Sequence, residues 1–308
     1  MKVTFVIPVF NAAPYLPRLL DSLRCQNGCE WEAVFADDAS TDGSLAVLRE
    51  AAAADSRLKV LALPHGGSSA ARNACLDAAE GELIAFVDAD DFIHPYMLST
   101  VAPRFSGDSV DAVTFGYAPV EPGAEFRFAP VPADIAETVI SDPVSWALTP
   151  WKAYAHDLWR TVYRRSAIGG LRFFPGIVHQ DLLFSYEVWG ACRRMLVLDV
   201  VLYAYVQSPD SVIRSPYSAA KVEANFTIMR ELSAHYAADP RRLAQLRRRL
   251  FPRMVKNVWK QTEHSGDASL RALARRRIGE AFKAGLIGFG GFSLAKRIKL
   301  LRSVVPWG

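Results

Sequence analysis

Three carboxylates stand within four residues, in the run Asp88-Ala89-Asp90-Asp91, directly after a continuous apolar stretch over residues 82–87. An apolar strand that ends in clustered acid would place oxygen ligands at the carboxyl edge of an α/β sheet, where open parallel sheets bind their ligands. Oxygen ligands of this kind suit Mg²⁺ or Mn²⁺ that holds a phosphate. The alternative interpretation is a solvated acidic turn whose Asp side chains cap a following helix.

The elements that must position these acids alternate between strand and helix patterns over the first hundred residues. The alternation predicts right-handed βαβ units and a mainly parallel sheet flanked by helices. Strands are predicted in this part over residues 2–9, 31–36, 58–63 and 82–87. Further strands are predicted over residues 112–117, 125–128 and 196–206, and helices from about residue 218 onward.

Polar residues follow three of the predicted strands. Residues 8–11 (Pro-Val-Phe-Asn) end the first strand, Asp37 and Asp38 the second, and the acidic run the fourth. Because the carboxyl ends of parallel strands share one edge of a sheet, these residues predict a ligand site there. The first strand is not followed by Gly-x-Gly-x-x-Gly or a phosphate loop, which argues against NAD and FAD. Phosphates would then be held by metal and side chains.

Four motifs within residues 6–91 resemble, in order, those of family 2 inverting glycosyltransferases of the GT-A fold. They read Val-Ile-Pro-Val-Phe-Asn, Asp-Asp-Ala-Ser-Thr-Asp-Gly-Ser, Gly-Gly-Ser-Ser-Ala-Ala-Arg-Asn and Val-Asp-Ala-Asp-Asp. The likeness fades after about residue 215. We therefore expect a GT-A domain over residues 1–215, with a nucleotide-sugar-binding half over 1–110 and an acceptor half over 111–215. A helical basic region would follow over 216–308.

The resemblance implies transfer of a sugar, with inversion, from a nucleotide donor that is usually UDP-linked. Phe10 would lie near the uracil ring, Pro8 would shape that pocket, and Asn11 belongs to the same nucleotide-sugar-binding motif. Asp38 would accept a hydrogen bond from the base. The alternatives stay open: Phe10 could be a core residue, and Asp38 could be an ordinary turn residue.

The same resemblance assigns the phosphates and the metal. Arg72 would sit near the base or the phosphates, since a guanidinium suits either. Asp88 would face the ribose or the metal, and Asp90 would coordinate the Mn²⁺ or Mg²⁺ that bridges the diphosphate. A surface position on a helix is the alternative for Arg72.

A base is needed to take the proton of the attacking acceptor hydroxyl. In the family it is an Asp that usually follows a Glu, and residues 179–184 (His-Gln-Asp-Leu-Leu-Phe) match with Asp181 as that base. Gln180 replaces the customary Glu, which removes one charge beside the base. His179 and Gln180 are candidate acceptor contacts. As an alternative or in addition, Asp181 could cap the helix that follows.

Aromatic residues precede the region of the base, and Trp151 is the foremost candidate among them for stacking on an acceptor sugar. Packing between a helix and the sheet is the alternative use of such rings.

The charge of +4 is unevenly distributed. Residues 241–308 hold 17 Lys and Arg against three acids, a charge of +14, which leaves −10 for residues 1–240. The basic part predicts contact with an anionic membrane surface, a solvated helical bundle being the alternative, and it has no recognised nucleic-acid motif. The first eight residues read as a strand, so we expect a cytoplasmic chain, peripheral on the inner face of the cell membrane.

The sequence therefore favours a transferase that moves a sugar to a hydroxyl of a glycan or lipid-linked acceptor, in cell-surface polysaccharide synthesis. Two alternatives remain. One is nucleotidyl transfer to a sugar phosphate, although that chemistry would want a Gly-rich basic loop after the first strand. The other is a catalytically silent nucleotide-sugar-binding membrane scaffold, which the neutral Gln180 suggests.

Overall fold

The computed structural model describes residues 1–107, 109–149, 157–208 and 215–288. It contains two short 3₁₀ turns, Ala102–Phe105 and Leu158–Arg160, in addition to the β-strands and α-helices. In chain order these are β1 (Lys2–Val9), α1 (Leu16–Arg24), β2 (Glu30–Asp37), α2 (Ser44–Ala54), β3 (Leu58–Ala62), α3 (Gly67–Ala78), β4 (Leu83–Phe86), β5 (Phe92–Ile93), α4 (Met97–Val101), β6 (Ala112–Val120), β7 (Glu137–Ile140), α5 (Pro143–Ala147), β8 (Thr161–Arg164), α6 (Arg165–Ile168), α7 (Gln180–Ala191), β9 (Met195–Val206), α8 (Ala219–His235), α9 (Pro240–His264) and α10 (Ala268–Lys283).

The strands of the described residues form one mixed sheet in the order β3-β2-β1-β4-β8-β6-β9-β5, with β7 paired to β9. The first four strands are parallel, as their alternation with helices predicts. β8 is antiparallel to both β4 and β6, and β6 then runs parallel to β9. The carboxyl ends of β1, β2 and β4 consequently lie side by side.

The predicted order departs from the structure at residues 125–128, and it lacks the strands β5, β7 and β8. Residues 125–128 form no strand; instead, Phe126 and Phe128 pack edge-on against Phe92 from a loop. The short strand β7 was not predicted, because its four residues are largely exposed and carry no apolar alternation. The acidic run leads into β5 and not into a helix, which rules out the helix-capping interpretation of its Asp residues.

The core lies on both faces of the sheet. Alternate residues of β1 point to opposite sides, so that Phe5 and Ile7 pack with α1 on one face while Val6 packs on the other. The second face is covered by α3, α7 and the C-terminal helices. Because Phe86 of β4 and Phe184 of α7 meet in this layer at 5.7 Å between ring centroids, the sheet fixes α7 directly.

The helices α8, α9 and α10 pack through their apolar faces into the same cluster as α7, with Met229, Leu246 and Ile278 fully buried. The proposed boundary near residue 215 stays a prediction. The Ile287 side chain, near the end of the described residues, is only 3% exposed and packs in the core, so it is not available to a membrane surface. Among the described helices, none is long and apolar enough to cross a bilayer.

The contact between α7 and α8 includes an acid with an altered pKa. Burial, together with the charge of Glu231, raises the pKa of Glu187 from 4.5 to about 7, and His235 Nδ1 lies 3.9 Å from its carboxylate. Between these two pH values the folded chain keeps a proton that the unfolded chain has released. The contribution of Glu187 to the free energy of unfolding therefore falls as the pH rises from about 4.5 to about 7.

Glu187→Gln should remove this cost. At pH 8 we expect the free energy of unfolding to rise by about 1–3 kcal/mol relative to the parent chain, and at pH 4.5 we expect no gain. Urea denaturation at the two pH values measures the difference. Glu50→Gln, on the exposed side of α2, is the matched control. An equal effect of Glu187→Gln at both pH values would contradict the titration of this carboxyl.

Candidate functional site

The ends of β1 and β2 are joined by hydrogen bonds between their loops. The Asn11 side-chain oxygen accepts from the Thr41 backbone N–H at 2.8 Å, and the Asn11 N–H donates to Ser40 Oγ at 3.0 Å. Asn11 has a φ of +49°, a left-handed conformation that Asn tolerates better than most residues. The Asp38 N–H donates to the Val9 carbonyl at 2.8 Å, which continues the pairing past the strand ends. Asn11 thus has a structural task at this edge.

Asp38 lies at the end of β2 and is only 3% exposed. Its two carboxylate oxygens accept hydrogen bonds from the backbone N–H groups of Gly66 and Gly67, at 2.6 and 2.9 Å, where α3 begins. Gly67 has a φ of +81°, which favours glycine. His65 Nδ1 also lies 3.0 Å from this carboxylate. Asp38 therefore fixes the start of α3, and its role toward a nucleotide base stays a prediction.

Phe10 does not belong to the core, so the alternative interpretation of Phe10 as a core residue is wrong. Its side chain is 52% exposed, and its ring lies 5.2 Å from that of His65, measured between centroids. Pro8, two residues earlier on β1, is partly buried and pairs with Ala36. An exposed aromatic ring beside the strand ends is available for stacking on a planar ligand.

Arg72 is nine-tenths buried in α3 and not on the surface, so the alternative interpretation of this residue is wrong. Its Nη2 donates to Asp88 Oδ1 at 2.6 Å. The Gln180 amide, oriented with its oxygen toward Arg72, accepts from Nη1 at 2.8 Å and from Ser68 Oγ at 2.8 Å, while its nitrogen donates to the Ile177 carbonyl. Arg72 thereby links the acidic run to the first residue of α7.

The helix α7 brings Asp181 to this region, in its first turn. His179 precedes the helix with a φ of +60°. The segment before α7 is fastened to α3 by two side chains: Ser69 Oγ donates to the Phe174 carbonyl at 2.8 Å, and Asn73 exchanges two hydrogen bonds with the Phe173 backbone. The structure thus brings the candidate base helix against the helix that carries Arg72. Trp151 lies outside the described residues.

The three acids of the run have different surroundings. Asp91 is 1% exposed and accepts from Tyr203 Oη at 2.6 Å and from the Val206 N–H at 2.7 Å. Burial and the charges of Asp90 and Asp88 raise the pKa of Asp91 well above its usual range. The alternative interpretation, in which the Asp residues of the run cap a helix, is wrong for Asp91, which anchors the run to β9.

Asp90 is the acid of the run that fits a cation. Burial and the charge of Asp88 raise its pKa from 3.8 to about 6, and among the described residues no Lys, Arg or His forms an ion pair with it. Asp88, in contrast, is paired with Arg72. The described residues contain no cluster of three metal-ligating side chains. A site of one carboxylate fits Mg²⁺ or Mn²⁺ whose other ligands are phosphate oxygens and water.

Sequence reasoning missed Tyr203, which joins two acids of the run. Its Oη donates to Asp91 and accepts from the Asp88 N–H at 3.2 Å. The signal available was the alternation Leu-Tyr-Ala-Tyr-Val at the end of β9, which places Tyr203 and Tyr205 on one face of the sheet.

Known proteins share both the sequence motifs and the fold. The model of the family described as "Glycosyl transferase family 2" matches residues 4–142. The chain is 31% identical over 258 residues to the putative glycosyltransferase EpsH of Bacillus subtilis, a match covering 80% of this chain and 72% of EpsH. The chain belongs to glycosyl transferase family 2. The predicted family is thereby confirmed.

Other comparisons agree with this assignment. The uncharacterized glycosyltransferase EpsJ of Bacillus subtilis is 28% identical over 230 residues; the match covers 72% of this family 2 chain but only 65% of EpsJ. The structure of Staphylococcus aureus TarS 1–349 in complex with UDP-GlcNAc superposes with a TM-score of 0.73 at 21% identity, covering 99% of this chain and 89% of that one. The predicted GT-A fold with a helical C-terminal region is confirmed. The roles of the individual site residues stay predictions.

Tyr203→Phe should destabilise this family 2 chain by about 1–3 kcal/mol, because the buried Asp91 carboxylate loses one of its two described donors. The free energy of unfolding in urea measures the loss. Tyr96→Phe removes the same hydroxyl from a residue that is 53% exposed and should cost little. Equal stability of the Tyr203 variant and the parent would show that this hydrogen bond does not hold the acidic run.

Proposed function

We propose that the chain transfers a sugar, with inversion, from a UDP-linked donor to a hydroxyl of a glycan or lipid-linked acceptor in cell-surface polysaccharide synthesis. The observation that carries the proposal is the bridge through Arg72. This one buried cation contacts Asp88 on the donor side and Gln180 beside the candidate base. Family membership supplies the reaction class, and the UDP-GlcNAc complex of TarS supports a UDP-linked donor.

The donor would lie along the carboxyl edge of β1, β2 and β4. The exposed ring of Phe10 would stack on the base, with Pro8 and Asn11 shaping the loop beneath it. Asp38 would accept from the base through a lone pair that the Gly66 and Gly67 amides leave available. Asp88 would face the ribose, and its contact with Arg72 holds its carboxylate in one orientation.

The diphosphate carries a negative charge that the acidic run would repel. The positive charge of Arg72 would offset part of the negative charge of the diphosphate. Asp90 would hold Mn²⁺ or Mg²⁺. When bound, such an ion stabilises the charge of the departing diphosphate. The pKa of the partly buried Asp90 is raised first by burial and then by the charge of Asp88, and a bound cation would offset both effects.

Asp181 would accept the proton of the acceptor hydroxyl. As the acceptor oxygen forms its bond to the anomeric carbon, the bond from that carbon to the diphosphate oxygen breaks on the opposite face, and UDP leaves with the electron pair. His179, Gln180 and Trp151 are the proposed acceptor contacts. For Gln180 the internal hydrogen bonds to Arg72, Ser68 and Ile177 favour a second task, the orientation of Arg72.

The two alternatives receive less support. Family 2 membership favours sugar transfer over nucleotidyl transfer. A catalytically silent scaffold would not need an Asp in the first turn of α7, held against the helix of Arg72.

The basic helices support contact of the chain with an anionic membrane surface, by charge alone. Two pairs of arginines are exposed, Arg248 and Arg249 on α9 and Arg275 and Arg276 on α10. The large apolar residues of these helices pack into the core. Clustered cations near a membrane attract anionic headgroups without insertion of apolar side chains.

Asp181→Asn should lower the rate of sugar transfer by about 10²–10⁴-fold, because the acceptor hydroxyl loses its base. Transfer from a panel of UDP-, GDP- and dTDP-sugars with Mn²⁺ measures the rate. Donor binding should persist, and a ligand at 100 times its Kd raises the free energy of unfolding by about 2.7 kcal/mol in a thermal-shift assay. Normal transfer by Asp181→Asn would exclude this residue as the base.

Two further variants complete this experiment. Asp90→Asn should abolish the part of the UDP-induced thermal shift that depends on Mn²⁺, a readout independent of turnover. Asp21→Asn removes an exposed charge of α1 and should match the parent in both assays. If no UDP compound shifts the melting temperature of the parent chain, the proposed donor is wrong.

Replacement of Arg248 and Arg249 together by Glu should weaken binding to phosphatidylglycerol vesicles by tenfold or more, since each cation near an anionic surface contributes about 1 kcal/mol. Co-sedimentation measures it, with phosphatidylcholine vesicles as the neutral comparison. Arg49→Glu, exposed on α2, is the matched control. Equal binding to both kinds of vesicle would contradict an electrostatic contact.

A further inference from the structure

Four aromatic rings group on one face of the sheet beside the acidic run. Trp159, in the turn Leu158–Arg160, lies flat on Tyr203 and Tyr205 of β9, with centroid distances of 4.5 and 5.4 Å and interplanar angles of 27° and 7°. Tyr117 of β6 meets Trp159 edge-on at 4.9 Å. We call Tyr117, Trp159 and Tyr205 the aromatic platform; Tyr203 is the buried ring beneath it.

The platform borders the candidate reaction centre through Tyr203. The hydroxyl of this residue contacts both Asp88 and Asp91, while its ring supports Trp159. The turn that carries Trp159 leads directly into β8, whose Val162 pairs with Ala85 of β4. Since β4 ends at Phe86, two residues before Asp88, the indole lies close to the end of the strand that delivers the acids.

Exposure separates the platform from ordinary core packing. Tyr203 is fully buried, as a core residue should be, whereas Tyr117 is 41% exposed and Trp159 and Tyr205 are half-buried. Single exposed aromatic residues are common on protein surfaces. Three that touch one another on one face of a sheet, next to a buried acidic cluster, form a continuous apolar surface of the kind that marks binding sites.

We propose that the aromatic platform binds a pyranose ring of the acceptor, so that the acceptor is a saccharide chain and not an acyclic polyol phosphate. The inference rests on the proposed function, which requires an acceptor near the acids. A pyranose ring presents an apolar C–H face that stacks on an aromatic ring, while its hydroxyls can hydrogen-bond to tyrosine Oη groups. A polyol phosphate has no such face, and its phosphates would select for cations.

Saturation-transfer NMR with the full chain tests the platform, in the presence of UDP and Mn²⁺. The probes are chitotetraose, cellotetraose and maltotetraose, with ribitol 5-phosphate as the acyclic comparison. We expect saturation of ring protons in at least one tetrasaccharide and none in ribitol 5-phosphate. Tyr117→Ala and Trp159→Ala should each weaken tetrasaccharide binding by about fivefold or more, the typical effect of losing one aromatic stacking partner.

Tyr96→Ala, which removes an exposed ring whose described ring contact is His94 and not a member of the platform, should bind as the parent does. Trp159→Ala uncovers Tyr203 and is therefore expected to lower stability. If that variant unfolds, Tyr117→Ala decides the test, because Tyr117 is the most exposed ring of the platform. Failure of all three tetrasaccharides to bind, equal binding by parent and Tyr117→Ala, or saturation of ribitol 5-phosphate alone would overturn the proposal. The thermal shift with UDP is read separately, so loss of donor binding would count against the proposed function and not against the platform.

Discussion

The geometry of the site depends on a buried carboxylate at the point where the parallel part of the sheet ends. Asp91 holds β9 through Tyr203 Oη and the Val206 N–H, with almost no access to water. Burying an acid is costly unless its oxygens are hydrogen-bonded, so the contact admits little variation in the position of the run. The positions of Asp88 and Asp90 at the carboxyl edge of the sheet are therefore set by a residue that is itself buried.

A buried guanidinium joins the two halves of the site. Arg72 reaches Asp88 with one nitrogen and Gln180 with another, and the side chains of Ser69 and Asn73 hold the segment before α7 against the same helix. A Glu at position 180 would form a second ion pair with Arg72 and divide its charge between two carboxylates. The neutral amide keeps the orientation of the guanidinium while leaving more of its positive charge available to an anionic ligand.

Much of the parallel half follows from the sequence, because continuous apolar runs and helical apolar patterns alternate clearly over residues 2–87. The convergence of residues 8–11, Asp38 and the acidic run was predictable for the same reason. Long-range contacts were not: Tyr203 meets Asp91 across 112 positions of the chain, and no local pattern specifies that pairing. The loop at Phe126 and Phe128 failed as a predicted strand because its aromatic residues pack against Phe92 without pairing their backbone.

The contact of Asp38 with Gly66 and Gly67 has a consequence for anion binding. The first amides of a helix carry a partial positive charge and often bind phosphate. At the start of α3 two such amides already serve an internal carboxylate. The partial positive charge at this end of the helix is largely compensated by Asp38, so a diphosphate bound there would gain little electrostatic stabilisation from it. In the proposed function, compensation of the phosphate charge would pass to a guanidinium and a divalent ion. Recognition of the nucleotide would then be sensitive to ionic composition in a way that a glycine-rich phosphate cradle is not.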